Sequence, residues 1–143
     1  MLFRSKEFGR EDFRLIPGGL PGIQSRLELI YTYGVVADHI SLQQWVETCC
    51  SNPARIFGLD PHKGTIQPGA DADLVLFDPR IQETISHETL SERVDYTPYE
   101  GFILEGRVRS TFARGEVIAH QGKYTGIDHR GQYLPRLPKK ERL

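Results

Sequence analysis

The sequence predicts an α/β chain in which the last helices of one domain run into a small β unit. Three observations predict it. Apolar residues recur at helical spacing behind clear start signals over roughly 41–58. Short apolar runs bounded by turn residues occupy roughly 60–122. The two textures come in blocks, without the alternation of a βαβ fold. The length of 143 residues fits one domain, or one domain plus part of another. A 38% share of hydrophobic residues with 26% charged excludes a disordered chain. Fourteen Gly and nine Pro mean many turns, hence short strands and loops.

The elements follow in order. Ile16-Pro17-Gly18-Gly19-Leu20-Pro21-Gly22 is a loop of low side-chain bulk, suited to close backbone approach by a ligand or a neighbouring helix. It lacks both G-x-G-x-x-G and a Lys-Ser/Thr ending, so it is not read as a phosphate loop. Ile23, Leu27, Ile30 and Tyr31 suit a helix over 23–35, with Gly34 at its end. Ser41-Leu42-Gln43-Gln44 has capping-box form, and Leu42, Trp45, Val46, Cys49 and Cys50 then make one apolar helix face, Trp45 within the core. Asn52-Pro53 predicts a second helix, Asn52 as N-cap, stopped by Gly58. Gly64-Thr65-Ile66 reads as a short strand before a Pro68-Gly69 turn. Leu74-Val75-Leu76-Phe77 reads as a buried strand ending at Asp78-Pro79. Further strands are expected at Phe102–Leu104, Val108 and Ser110–Ala113. A hairpin through Arg114-Gly115 leads to Val117–Ala119.

Charge and cysteine usage exclude several functions. A net charge of −1 gives no support to nucleic-acid binding. No apolar run approaches the ~18 residues of a membrane span. Met1–Lys6 has no apolar run of a secretory signal, and the neighbours Cys49 and Cys50 form no disulfide framework. They read as two small apolar side chains on a helix, and a cytoplasmic location is expected. The tail Arg130–Leu143 carries Arg130, Arg136, Lys139, Lys140 and Arg142 against Glu141, broken by Pro135 and Pro138. It reads as a solvated tail or as an arm lying on a partner subunit.

Local chemistry is sparse. His39, His62, His87, His120 and His129 make no H-x-H or H-E-x-x-H, so no zinc site is predicted. Asp71 and Asp73 share one side of an extended segment, where turn or strand-entry hydrogen bonding is the simpler role. Ser86-His87-Glu88 is a triad in sequence only, because adjacent residues do not point at one another. No catalytic residue and no metal ligand is assigned.

The order of motifs carries more. It runs through Lys6-Glu7-Phe8-Gly9-Arg10-Glu11-Asp12-Phe13, Ile16–Ile23 with Arg26, and Ser51-Asn52-Pro53-Ala54-Arg55-Ile56-Phe57-Gly58-Leu59. Lys63–Ile66, Pro68-Gly69-Ala70-Asp71-Ala72-Asp73-Leu74-Val75 and Val94-Asp95-Tyr96-Thr97-Pro98-Tyr99-Glu100-Gly101 continue it. Arg114-Gly115-Glu116-Val117 and Gly131-Gln132-Tyr133-Leu134-Pro135-Arg136 complete it. In this the chain resembles the C-terminal part of the dihydropyrimidinase and D-hydantoinase family of cyclic amidohydrolases.

The resemblance implies a fragment: the end of a (β/α)8 TIM barrel over 1–58, the C-terminal strands of a composite β-sandwich over 59–122, and an extended basic tail over 123–143. It implies two divalent metal ions, zinc as a rule, that polarise a ring carbonyl and supply hydroxide at neutral pH. Their ligands in the family are an H-x-H pair, a carboxylated Lys, two more His and a late Asp, none of which can be placed here. The reaction implied is ring opening of a small cyclic amide or imide to an N-carbamoyl amino acid. The family loop Ile-Pro-Asn-Gly-x-Pro-Gly lies over the substrate ring. Gly18 takes the place of its Asn, so Gly18 and Gly19 are the expected substrate-binding positions, through backbone contact. This departure leaves allantoinase-like or dihydroorotase-like hydrolases open. A non-catalytic dihydropyrimidinase-like scaffold is the alternative, and a free-standing β binding module a third. The chain alone is expected to be inactive. The full-length parent is expected to be a homo-oligomer.

Overall fold

The computed structural model describes residues 7–126 and 131–136. Helix α1 spans Arg26–Ile30 and continues without a break as a π-helical segment, Tyr31–Val36. Ile23 is outside it and 89% exposed. Gly34 does not end this helix. A Cβ there would sit 3.0 Å from Ile40 Cδ1, so Gly34 is the point where the following turn folds back onto the helix. The chain reverses instead at Asp38, whose φ is 57°, with His39 and Ile40 N–H both donating to the Gly34 carbonyl.

Helix α2 (Leu42–Val46) opens with the predicted capping box. Ser41 Oγ accepts from Gln44 N–H at 3.2 Å, and Gln44 Oε1 accepts from Ser41 N–H at 2.8 Å. Two separate helices over 41–58 are not seen. A π-helical segment, Glu47–Ser51, joins α2 to α3 (Asn52–Ile56), and Asn52 has helical φ and ψ of −66° and −47°. The reason is Pro53. It has no N–H to donate, and a π turn lets the helix pass that gap by widening locally. Gly58 stops α3 as expected, with φ of 67°. Leu59 N–H reaches the Ala54 carbonyl at 2.8 Å and Gly58 N–H the Arg55 carbonyl at 3.3 Å, the paired bonds of a Schellman cap. The apolar face of this stretch is only partly covered: Trp45 and Cys49 are half-buried, but Leu42, Val46 and Cys50 are exposed.

Four antiparallel strands form one sheet in the order β1-β2-β3-β4: β1 Leu74–Thr84, β2 Ile103–Ala113, β3 Glu116–His120 and β4 Lys123–Tyr124. Gly64–Ile66 is not a strand. Gly64 has φ of 78° and Ile66 is 88% exposed. The Pro68-Gly69 turn is present, with Gly69 at φ 90° and Ala70 N–H on the Gln67 carbonyl at 3.1 Å. Strand β1 runs past Pro79, which falls inside a register shift between Asp78 and Gln82 on an edge strand, where a missing N–H costs no ladder bond. Leu74–Phe77 is a strand but not a buried one: Leu74, Val75 and Leu76 are all exposed. Both hairpins use positive φ at two central residues, Arg114-Gly115 and Gln121-Gly122, which matches the strand twist. The second hairpin and β4 were not predicted.

The helical half meets the sheet around Gly106, and Tyr33 Oη also donates to the Ile103 carbonyl at 3.1 Å. Gly106 in β2 has φ of 81°, and a Cβ there would lie 2.5 Å from the Phe77 ring. Tyr31, Trp45 and Phe77 pack over it with ring centroids 4.8–5.2 Å apart. Around this bend α1 supplies the missing ladder partners. Thr32 Oγ1 accepts from Glu105 N–H at 2.9 Å and donates to the Glu105 carbonyl at 3.1 Å. Glu28 Oε1 accepts from Val108 N–H at 3.2 Å. Burial holds the Glu28 carboxyl above its ordinary range, against that N–H and Arg107. No described helix is long and apolar enough to cross a membrane.

Candidate functional site

The glycine-rich loop is built from both sides. Upstream, Asp12 caps a 3-10 turn at Phe13–Leu15, its Oδ1 accepting from Arg14 N–H at 3.0 Å. Gly9 is buried beneath the loop's first residue. A Cβ there would fall 2.1 Å from Ile16 Cγ1, so only glycine lets the chain cross itself here. Gly18 and Gly19 are exposed, Gly19 with φ of 79°, and open space surrounds the Cβ position of each.

Beneath the loop lies the segment 91–101. Tyr96 and Thr97 are 5% and 2% exposed, among the most buried residues described. Tyr96 Oη is 3.5 Å from the Gly19 carbonyl, to which it donates. The Tyr99 ring abuts Gly22, where a Cβ would be 3.1 Å from Cε2. Glu92 Oε1 accepts from two loop N–H groups, Gly22 at 3.0 Å and Gln24 at 3.2 Å. Gln24 Oε1 in turn accepts from Ser91 N–H at 2.7 Å. Gly101 N–H and the Phe102 carbonyl pair with Ile85 at the far end, tying the segment to the end of β1. The arrangement presents backbone at a fixed place with no side chain in the way.

Elsewhere the predicted alternatives resolve as structure. Lys63 Nζ bridges Asp71 at 2.8 Å and Asp73, and Asp73 also accepts from Arg114 N–H at 2.8 Å. Asp73 therefore clasps the β2–β3 hairpin, and Lys63 ties it to Asp71. Partial burial pulls the Lys63 ammonium down, and the two aspartates more than reverse it, leaving it above its ordinary value. Ser86, His87 and Glu88 do not form a triad. His87 turns to Glu100, with Nδ1 3.0 Å from Oε2, and its N–H and ring hold the Glu100 carboxyl below the usual range. Ser110 Oγ is 2.8 Å from His120 Nδ1, but Ser110 is only 5% exposed and serves as a cross-strand tie. Among the described residues no group of three or more His, Cys, Asp or Glu could hold a metal ion. The predicted positions Lys6, His129, Arg130, Lys139, Lys140, Glu141 and Arg142 lie outside the described residues. Arg136 is described, its guanidinium 5.7 Å from the Phe57 ring centroid.

The sequence model of the amidohydrolase family matches residues 22–118. The chain belongs to the amidohydrolase family. It is 48% identical over 131 residues to a D-hydantoinase of Streptomyces coelicolor, a match covering 92% of this chain and 28% of that protein. It superposes on the D-hydantoinase of Bacillus sp. AR9 with a TM-score of 0.88 at 43% identity, over 93% of this chain and 29% of the other. The dihydropyrimidinase of Brevibacillus agri gives 0.82 at 44% identity, over 86% and 27%. The chain thus spans under a third of the length of these relatives.

Sequence reasoning assigned the loop glycines but missed Glu92, Tyr96 and Tyr99. Tyr96 and Tyr99 fall within a motif that carried the family resemblance, and that is the only signal they gave. Glu92 gave none, since its partners are 68 and 70 residues away.

Proposed function

We propose that the complete protein containing this chain opens the ring of a small cyclic amide or imide, of hydantoin or dihydropyrimidine type, by hydrolysing a ring C–N bond to give an N-carbamoyl amino acid. The observation that carries this reading is the similarity to D-hydantoinases over 92–93% of this chain. The scaffold alternative is not favoured, because the relatives bear hydantoinase and dihydropyrimidinase names. In this reading residues 1–58 close a TIM barrel, and 59–122, extended by β4 at Lys123–Tyr124, form the C-terminal share of a β-sandwich; the tail expected over 123–143 begins after β4 and reaches a neighbouring subunit of a cytoplasmic homo-oligomer. Two divalent metals, zinc in the first instance, would polarise the ring carbonyl and supply hydroxide; among the described residues no group of three or more His, Cys, Asp or Glu could hold one. The part of this chain is to bind and shield. Gly18 and Gly19 let backbone approach the substrate ring closely, and the loop excludes water above it.

The test is ring opening of hydantoin, 5-phenylhydantoin and dihydrouracil by the complete gene product, with N-carbamoyl products quantified by chromatography. Expected are turnover of at least one ring, loss on chelation, and return with a divalent metal. A metal-loaded, folded protein that opens none of the three overturns the proposal. The chain of 143 residues by itself is expected to be inactive.

A further inference from the structure

We infer that Glu92 is a positioning residue that holds the glycine-rich loop in its substrate-receiving conformation. This rests on the reading that Gly18 and Gly19 face the substrate ring. The loop gains little from packing: residues 16–20 are exposed, and open space surrounds the Cβ positions of Gly18 and Gly19. A segment this rich in glycine loses more freedom on ordering than any other, so a fixed conformation needs outside ties. Two such ties meet on one carboxylate. Glu92 Oε1 takes the N–H of Gly22 and the N–H of Gln24, at the point where the loop turns toward α1. Gln24 returns a bond to Ser91 N–H, so the two strands of chain are joined reciprocally. Bonds from backbone N–H to a charged acceptor are about twice as strong as neutral ones. Glu92 Oε2 is enclosed and has no hydrogen-bond partner among the described residues, which leaves Oε1 as the oxygen that takes the two N–H groups. Tyr99 closes the space beside Gly22, and Tyr96 supports the Gly19 carbonyl.

A loop fixed before substrate arrives spends less binding energy on being ordered. Releasing the tie is therefore expected to appear in KM and to leave kcat nearly alone. The experiment uses the complete gene product with a cyclic amide that the wild type opens. Glu92→Ala raises KM on the order of tenfold with kcat within about twofold, and hydrogen exchange of the Gly22 and Gln24 amides accelerates. Glu92→Gln keeps an oxygen acceptor and recovers most of the lost kcat/KM. Lys63→Met, at the distant hairpin clasp, lowers thermal stability without moving KM. Should Glu92→Ala fail to fold, Gln24→Ala removes only the Ser91 bond and is expected to raise KM about threefold by the same route. Unchanged KM in a folded Glu92→Ala protein overturns the inference, whether or not the amides exchange faster. Equal loss of kcat in Glu92→Ala and Lys63→Met also overturns it, since that is general destabilisation. If the wild type opens no ring at all, the proposed function fails first, and this inference falls with it.

Discussion

Two parts of the sheet are held by different physics. Where α1 meets the middle of β2, each irregularity is filled: a glycine at φ 81° under three aromatic rings, and side chains bonding the ladder groups that the bend frees. At the start of β1, Leu74, Val75 and Leu76 form a regular ladder with Phe112, Thr111 and Ser110, yet all three are exposed. The first region draws its stability from contacts within these residues. The second has its hydrogen bonds but little of the apolar burial that usually stabilises a sheet. Regular backbone pairing and apolar burial are thus separable here.

Breaking the junction is expected to have the largest effect. Gly106→Ala combines a positive φ with a Cβ 2.5 Å from the Phe77 ring, and a loss of about 3 kcal/mol follows from left-handed strain plus overpacking. Urea denaturation of the complete protein checks it, and a loss under about 1 kcal/mol would mean that the rings yield. Thr32→Val keeps the shape but abandons both backbone groups of Glu105, which is expected to cost about 2 kcal/mol in the same assay.

Glu28→Gln sharpens the contrast by its sign. Burial raises the folded carboxyl above its usual value of 4.5, so the folded state holds its proton more tightly than the unfolded state. Native stability from this group is complete below pH 4.5 and declines as pH rises through the folded value. Glu28→Gln is therefore expected to melt higher than wild type at pH 8, with the gap closing near pH 4, as followed by calorimetry. A gap independent of pH would refute this assignment.

The smallest effect is expected at the other region. Leu76, 56% exposed, should tolerate Leu76→Thr with a change under about 0.5 kcal/mol in the isolated chain. In the complete protein the same change is expected to cost about 1.5–3 kcal/mol if further chain covers that face. Equal values in the two settings would show the face to be solvated in both.

Local rules were legible wherever a few neighbouring residues settle the outcome. The capping box at Ser41, the stop at Gly58, the Pro68-Gly69 turn and the Arg114-Gly115 hairpin are all as predicted, because each depends on φ preferences and short-range bonds. The same rules misread Asn52-Pro53, where a π turn kept one helix running, and Gly34, where a packing neighbour rather than a terminus required glycine. They also took an apolar run for a buried strand, since composition records what a residue prefers and not what lies against it. The loop at Ile16–Gly22 was visible as a segment without side chains. That Glu92 ties it, that Tyr96 and Tyr99 support it, and that Lys63 clasps Asp71 to Asp73 were tertiary decisions. Sequence alone determined the short-range turns and caps and the family order of motifs. Only the tertiary structure decided which acceptor, ring or ammonium met them, because such contacts join residues far apart in the chain and leave no local period to read.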